Sequence, residues 1–238
     1  MVFADPPYNL SGKRLQWKNK QNGGNWYMLN EPWDSFPAEE YREFALKWIE
    51  EVDRVLVPGG TLWICATLHN LRICLDAVDQ VGLRLVNLIV WQKPNPMPNM
   101  TRKLFTHSCE YVLFCAKGSN WVFNYEALKQ MNPDRRKDGG VRQMRDAWTI
   151  PLCQGKERLR RNGDRGRSLH PAQKPLEIVR RAVVASTHPD QVVLDPFMGT
   201  GTTAVVCDVL GRRWVGIERS PLYASRALRR IQQCRRAP

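Results

Sequence analysis

Two hydrophobic textures alternate along the chain. Short continuous apolar runs occur at Met1–Ala4, Thr61–Ala66, Leu85–Trp91, Tyr111–Ala116, Val192–Leu194 and Trp214–Ile217. Runs of that length predict strands buried on both faces. Between them lie stretches with helical spacing. From Pro37 to Val57 the residues Tyr41, Phe44, Trp48, Val52 and Val55 share one face, and Pro58-Gly59-Gly60 closes the element. Further helices are predicted from His69 to Val81 (ending at Gly82), from Pro175 to Ser186, from Thr202 to Leu210, and onward from Pro221. Strands alternating with helices predict an α/β class, a doubly wound and mostly parallel sheet covered on both faces. No internal repeat is visible.

Two stretches break this rhythm. Ser11–Trp33 is polar, carries Gly23-Gly24, Trp17, Trp26 and Tyr27, and reads as a mobile loop, either a cover over the site or a plain linker. From Pro94 to Leu169 the prolines at 94, 96 and 98 give way to charge and glycine. The expected division is one half at 1–96, an irregular region at 97–169, and a second half of the same domain at 170–238.

Charge adds direction to this picture. The 238 residues carry 36 Lys and Arg against 23 Asp and Glu, a formal net charge of +13. Such an excess favours a polyanionic partner, because basic side chains displace counterions condensed on nucleic acid. The irregular region supplies Arg135, Arg136, Lys137, Arg142, Arg145, Arg160 and Arg161 as candidate DNA contacts: each alone reads better as a solvated loop residue, while the cluster as a whole favours DNA. The seven cysteines form no Cys-x-x-Cys pair and sit mostly in apolar runs, as Cys65, Cys115 and Cys207 do. That pattern suits buried thiols in a reducing compartment. His107, Cys109 and Cys115 match no zinc spacing, so no metal is expected. No apolar run is long enough to span a bilayer and no signal peptide is visible, so no membrane partner is expected.

Asp5-Pro6-Pro7-Tyr8 stands where the first strand ends. Ligands of open α/β sheets bind outside the carboxyl ends of the strands, so the placement suits a site. A carboxylate accepts a hydrogen bond from an amino group, two prolines stiffen the turn, and an aromatic ring offers a face for stacking a base. The bland alternative is a proline-rich turn.

The second motif is Asp195-Pro196-Phe197-Met198-Gly199-Thr200-Gly201-Thr202, a strand, a glycine turn and a helix start. Gly199 and Gly201 permit positive φ and a close ligand approach. Glu218, at the next strand end, is placed to accept from two ribose hydroxyls. Gly199, Gly201 and Ala204 also satisfy a dinucleotide fingerprint, so an NAD-dependent oxidoreductase is a rival reading. Asp195 opposes it, since a carboxylate there would repel a pyrophosphate but suits an ammonium.

Taken together, these stretches resemble the prokaryotic DNA amino-methyltransferases, and in particular their β group, in which the catalytic motif precedes the cofactor glycine loop. Trp91-Gln92-Lys93-Pro94-Asn95, Asp146-Ala147-Trp148, His170-Pro171-Ala172-Gln173-Lys174-Pro175, Leu210–Glu218 and Tyr223 continue the likeness. The resemblance implies a Rossmann-like methyltransferase fold whose irregular basic insertion at 97–169 recognises duplex DNA. It implies S-adenosylmethionine as cofactor, held by Asp195, Pro196, Phe197, Gly199, Gly201, Thr202 and Glu218, with Gln173 and Asp5 beside the pocket and Lys174 near the cofactor carboxylate. Asp5, Pro6, Pro7 and Tyr8 become the catalytic residues acting on a flipped base. Adenine N6 is favoured over cytosine N4 because the N4 type more often has serine in place of Asp5. A DNA-binding relic without catalysis is the non-enzyme alternative. Members usually carry further residues before the catalytic strand, which help wall the cofactor pocket. Four residues precede Asp5 here, so the chain is either minimal or trimmed at its start, and the sequence leaves cofactor affinity open. The prokaryotic cytoplasm, at the nucleoid, is the implied location. A homodimer and a cognate restriction endonuclease are candidate partners, with no interface signature in the residues themselves.

Overall fold

The computed structural model describes residues 1–11, 31–99, 103–155, 157–160, 168–170 and 172–236. Of the residues singled out above, Trp17, Trp26, Tyr27, Arg161 and Pro171 lie outside that set.

The apolar runs form one seven-stranded sheet: β1 (Val2–Ala4), β2 (Thr61–Ala66), β3 (Arg84–Gln92), β4 (Cys109–Ala116), β5 (Ala147–Thr149), β6 (Val192–Asp195) and β7 (Arg213–Gly216). Their spatial order is β5-β3-β4-β2-β1-β6-β7. β4 runs antiparallel to both of its neighbours, while the other neighbours pair in parallel. The mostly parallel expectation therefore holds.

Helices α1 (Ala38–Val55), α2 (Leu71–Val81), α3 (Tyr125–Met131), α4 (Leu176–Ser186), α5 (Thr202–Val209) and α6 (Pro221–Arg236) cover the sheet. Alternation along β2 shows how both faces are filled. Leu62, Ile64 and Ala66 join the core beneath α1 and α2, whereas Trp63 and Cys65 join the core beneath α4. The buried stripe of α1 is Tyr41, Ala45, Ile49 and Val52. Val55, expected on that stripe, is 47 % exposed because the helix ends there and the chain turns away.

Two short elements were not anticipated, α3 and β5. The interval 97–169 is consequently no separate body. It contributes β4, α3 and β5 to the same layers, and among the described residues 132–146, 150–155 and 157–160 lie outside these elements. No helix among the described residues is long and apolar enough to cross a membrane.

The topology positions the site. β1 lies between β2 and β6, so the chain departs to opposite sides of the sheet from neighbouring strands. Val2 is in register with Leu194, which brings the carboxyl ends of β1 and β6 side by side. Such a reversal opens the crevice in which doubly wound folds bind ligands.

Candidate active site

Asp5 follows β1 and Asp195 ends β6, so adjacent strand tips deliver both carboxylates to one cavity of about 270 Å³. Pro6, Pro7, Tyr8, Pro196, Phe197, Gly199, Thr202, Gln173, Lys174 and Glu218 also line it. The two motifs thus meet as expected, and the structure adds His170, Trp33, Phe44 and Tyr223 to the walls.

At one end is a compact ionic cluster. Asp5 Oδ1 accepts the Tyr8 hydroxyl at 2.6 Å and the Lys174 ammonium at 2.9 Å. Lys174 Nζ also lies 4.8 Å from the centroid of the Tyr8 ring, within cation–π range. The Lys174 side chain is 6 % exposed. Burial opposes its charge, but Asp5 and Glu110 outweigh that and hold the ammonium above its usual range. Lys174 is therefore drawn to Asp5, not presented as a lone cation to a cofactor carboxylate. Burial, then the Asp5 charge, pushes the Tyr8 phenol up, so its proton stays on the bond to Asp5. Among the described residues nothing donates to Asp5 Oδ2 or to the Pro6 carbonyl. Lys174 lies over the Tyr8 ring, which is 7 % exposed and lines the cavity.

At the other end lies the glycine turn. Asp195 is 5 % exposed; its oxygens accept the Phe197 N–H at 3.0 Å and the Thr203 hydroxyl at 2.5 Å. Burial nevertheless raises its pKa to about 7, because no cation among the described residues pairs with it. A buried carboxylate lacking a counter-ion, on the wall of a cavity, suits a ligand that brings an ammonium. Glu218 accepts the Gly199 N–H at 2.9 Å and the Ser220 N–H at 2.7 Å, which fixes its carboxylate at the rim. Each oxygen keeps a lone pair for a further donor.

Several of the expected contact residues also carry structural bonds. Gly201 does not line the cavity. Its φ of 78° begins α5, and a Cβ there would lie 3.0 Å from the Cβ of Ala227, so the glycine lets α6 approach. Thr202 reaches the cavity wall but its hydroxyl accepts from Arg230 at 3.1 Å. The Gln173 amide bridges the Leu159 N–H and the Glu157 carbonyl, tying the irregular region to the cofactor half. Arg135 donates to the carbonyls of Asn132, Asp134 and Gln130 and pairs with Val141 in a small hairpin. Arg145 pairs with Asp134 at 3.0 Å. Arg136, Lys137 and Arg142 are exposed on that hairpin and show no such partner among the described residues. Arg160 is exposed and bridges to Ser168.

Other site residues went unread in the sequence. His170 stacks on Trp33 at 5.7 Å and meets Tyr223 edge-on at 4.8 Å. Burial, then Lys174 and Arg158, lowers its pKa to about 4, so the ring is neutral near pH 7. Asp34, 2 % exposed, gathers backbone N–H groups of the turn carrying Tyr8. Gly216 lacks a Cβ because one would fall 2.0 Å from the sulfur of Met198, a cavity residue.

With this geometry fixed, comparison with known proteins is decisive. A family profile described as DNA methylase matches residues 1–229. The chain belongs to this DNA methylase family. It is 38 % identical over 237 residues to the Type II methyltransferase M2.DpnII of Streptococcus pneumoniae, covering 98 % of this chain and 82 % of that one. It is 37 % identical over 238 residues to the Type II methyltransferase M2.LlaDCHI of Lactococcus lactis subsp. cremoris, with the same coverage. Solved structures share the methylase's fold. M1.HpyAVI, in a complex with SAM, aligns with a TM-score of 0.66 at 24 % identity, covering 97 % of this chain and 87 % of that one. The cytosine-N4-specific PvuII DNA methyltransferase aligns with a TM-score of 0.67 at 20 % identity, covering 98 % and 83 %. Against this family, the oxidoreductase reading of the glycine turn falls away.

Proposed function

We propose that this methylase transfers a methyl group from S-adenosylmethionine to N6 of adenine in duplex DNA, with the base turned out of the helix. The observation that carries the reading is the juxtaposition, in one cavity, of Asp5 Oδ2 and the Pro6 carbonyl, which accept from nothing among the described residues, with the Tyr8 ring and a buried Asp195 carboxylate that has no counter-ion among those residues.

When bound, S-adenosylmethionine supplies a methyl group on a positively charged sulfur. Asp195 would take the ammonium of its methionine part, and Glu218 would accept from the ribose hydroxyls, with Gly199 leaving room beside it. A base in a duplex is inaccessible to such a cavity, so extrusion precedes reaction. Tyr8 stacks the extruded ring. Asp5 Oδ2 and the Pro6 carbonyl accept the two amino hydrogens, which directs the nitrogen lone pair into the cavity. As positive charge grows on that nitrogen the Asp5 carboxylate stabilises it, and Oδ2 is placed to take the surplus proton. Lys174 keeps Oδ1 engaged, so the carboxylate meets the base in one orientation. Holding both reactants accounts for much of the acceleration expected of such a site.

Adenine is preferred to cytosine because the motif opens with Asp5 where the N4 type more often has serine. Arg136, Lys137 and Arg142 form the DNA-contacting part of the hairpin. The test is direct. Incubate the protein with S-adenosylmethionine and mixed-sequence duplex DNA, digest to nucleosides, and identify the product by mass spectrometry. N6-methyladenine is expected. N4-methylcytosine would overturn the choice of base. Absence of both, with no S-adenosylmethionine bound in calorimetry, would support a DNA-binding relic.

A further inference from the structure

The turn carrying Tyr8 is gripped by Asp34, itself part of the cavity wall. Asp34 Oδ1 accepts the N–H groups of Tyr8 at 2.6 Å and Asn9 at 2.8 Å. Its Oδ2 accepts those of Leu10 at 2.9 Å and Ser11 at 3.1 Å, together with the Ser11 hydroxyl at 3.2 Å. Four successive backbone N–H groups therefore converge on one buried carboxylate, an anion nest filled by the protein's own side chain. Such convergence needs a residue in the left-handed region. Asn9 provides it at φ 56°, held there by reciprocal bonds between its side-chain amide and the backbone of Phe36. The opposite side of the turn is fixed too. The Tyr41 hydroxyl donates to the Pro7 carbonyl at 2.6 Å, and Asn70 Nδ2 donates to that hydroxyl at 3.1 Å. With the N–H groups turned to Asp34 and the Pro7 carbonyl to Tyr41, Pro6 and the Tyr8 ring are left facing the cavity.

We infer that Asp34 is a positioning residue for methyl transfer: it sets the Tyr8 ring and the Pro6 carbonyl at the angle that an extruded base requires. The inference rests on the base-stacking role proposed for Tyr8. A nest already occupied by a carboxylate has no room for a DNA phosphate, so an anion-binding role is excluded. The five donors all belong to residues 8–11, so the carboxylate organises the turn itself and does not merely join two helices.

Asn at this position offers one acceptor oxygen and turns an N–H2 group towards N–H donors. Asp34→Asn is therefore expected to lower kcat about 10²-fold, the scale of a misplacement near 1 Å. Affinity for S-adenosylmethionine, read by calorimetry, should change less than about threefold, because the cofactor contacts sit on the far wall. A double-mutant cycle separates positioning from general loosening. In a Tyr8→Ala background, D34N should add a clearly smaller loss than it causes in the wild type, since only the Pro6 carbonyl is left for it to orient. Losses that multiply, or D34N with a wild-type kcat, overturn the inference. If D34N does not fold, Tyr41→Phe releases the Pro7 carbonyl and removes one acceptor of the Asn70 amide. It should lower kcat about 5- to 10-fold and also fail to multiply with Tyr8→Ala, and wild-type turnover there overturns the inference equally. A wild-type protein without methyl transfer counts against the proposed function itself, whereas an active wild type with an indifferent D34N counts only against this role.

Discussion

Asp195 should make cofactor affinity depend on pH in a way that can be worked out beforehand. Its carboxyl is buried and its pKa is raised to about 7. The ionised fraction is then roughly 9 % at pH 6 and roughly 70 % at pH 7.4, from simple titration. An α-amino group titrates with a pKa of about 7.7–8.0, so the ammonium that Asp195 would receive is lost above that range. The product of the two fractions peaks near pH 7.4. It falls roughly fivefold by pH 6, a difference of about 1 kcal/mol, and by a similar factor near pH 9. Isothermal titration of S-adenosylmethionine from pH 5.5 to 9, in two buffers of different ionisation enthalpy, measures both the curve and the protons exchanged. Asp195→Asn should remove the acid limb and most of the affinity. In the free protein the sign runs the other way. A folded pKa above the unfolded value of 3.8 means that stability declines as pH rises from about 4 to 7. Asp195→Asn should therefore raise the melting temperature above pH 7, by roughly 4–8 °C if the relief is about 2 kcal/mol. Affinity that is flat from pH 5.5 to 7.4, or an acid limb that survives in D195N, would refute the reasoning.

Other outcomes follow from the same geometry. Asp5→Ala should lower methyl transfer by at least about 10³-fold while DNA binding, measured by fluorescence anisotropy, stays near wild type; retained turnover would deny Asp5 its role. Replacing Arg136, Lys137 and Arg142 together with Ser should weaken DNA binding and reduce the slope of log K against log salt by about 2–3, close to 0.9 per lost phosphate contact, and an unchanged slope would move the DNA surface elsewhere. Gly216→Ala should destabilise the fold by about 1–3 kcal/mol in urea titration, because the added methyl lands 2.0 Å from the Met198 sulfur. A change within about 0.5 kcal/mol would mean that Met198 moves aside freely.

The long periodic elements were legible because burial on both sheet faces leaves continuous apolar runs. β1, β2, β4 and β6 sit close to where those runs predicted them. β5 and α3 were not, since three and seven residues carry too little pattern to rise above a basic, glycine-rich stretch. The two motifs foretold a shared cavity, because residue types set chemistry and strand ends set location. Their neighbours are harder to read where one residue type answers two demands. Gly201 carries the positive φ of a ligand loop, yet its missing Cβ admits Ala227. Arg135 looks like a DNA contact, yet it caps carbonyls. Asp34 left no signal at all, because its partners are backbone N–H groups that no side-chain pattern announces.

The neighbouring of β1 and β6 ties activity to the order of synthesis. The strand bearing Asp5 leaves the ribosome first, yet its partner in register at Leu194 arrives about 190 residues later. Until then the first strand lacks one edge neighbour, and the acid at its tip faces no glycine turn. A polypeptide interrupted anywhere in that interval would carry the DPPY turn without its cofactor wall, so modification of the genome begins only with chains translated past β6.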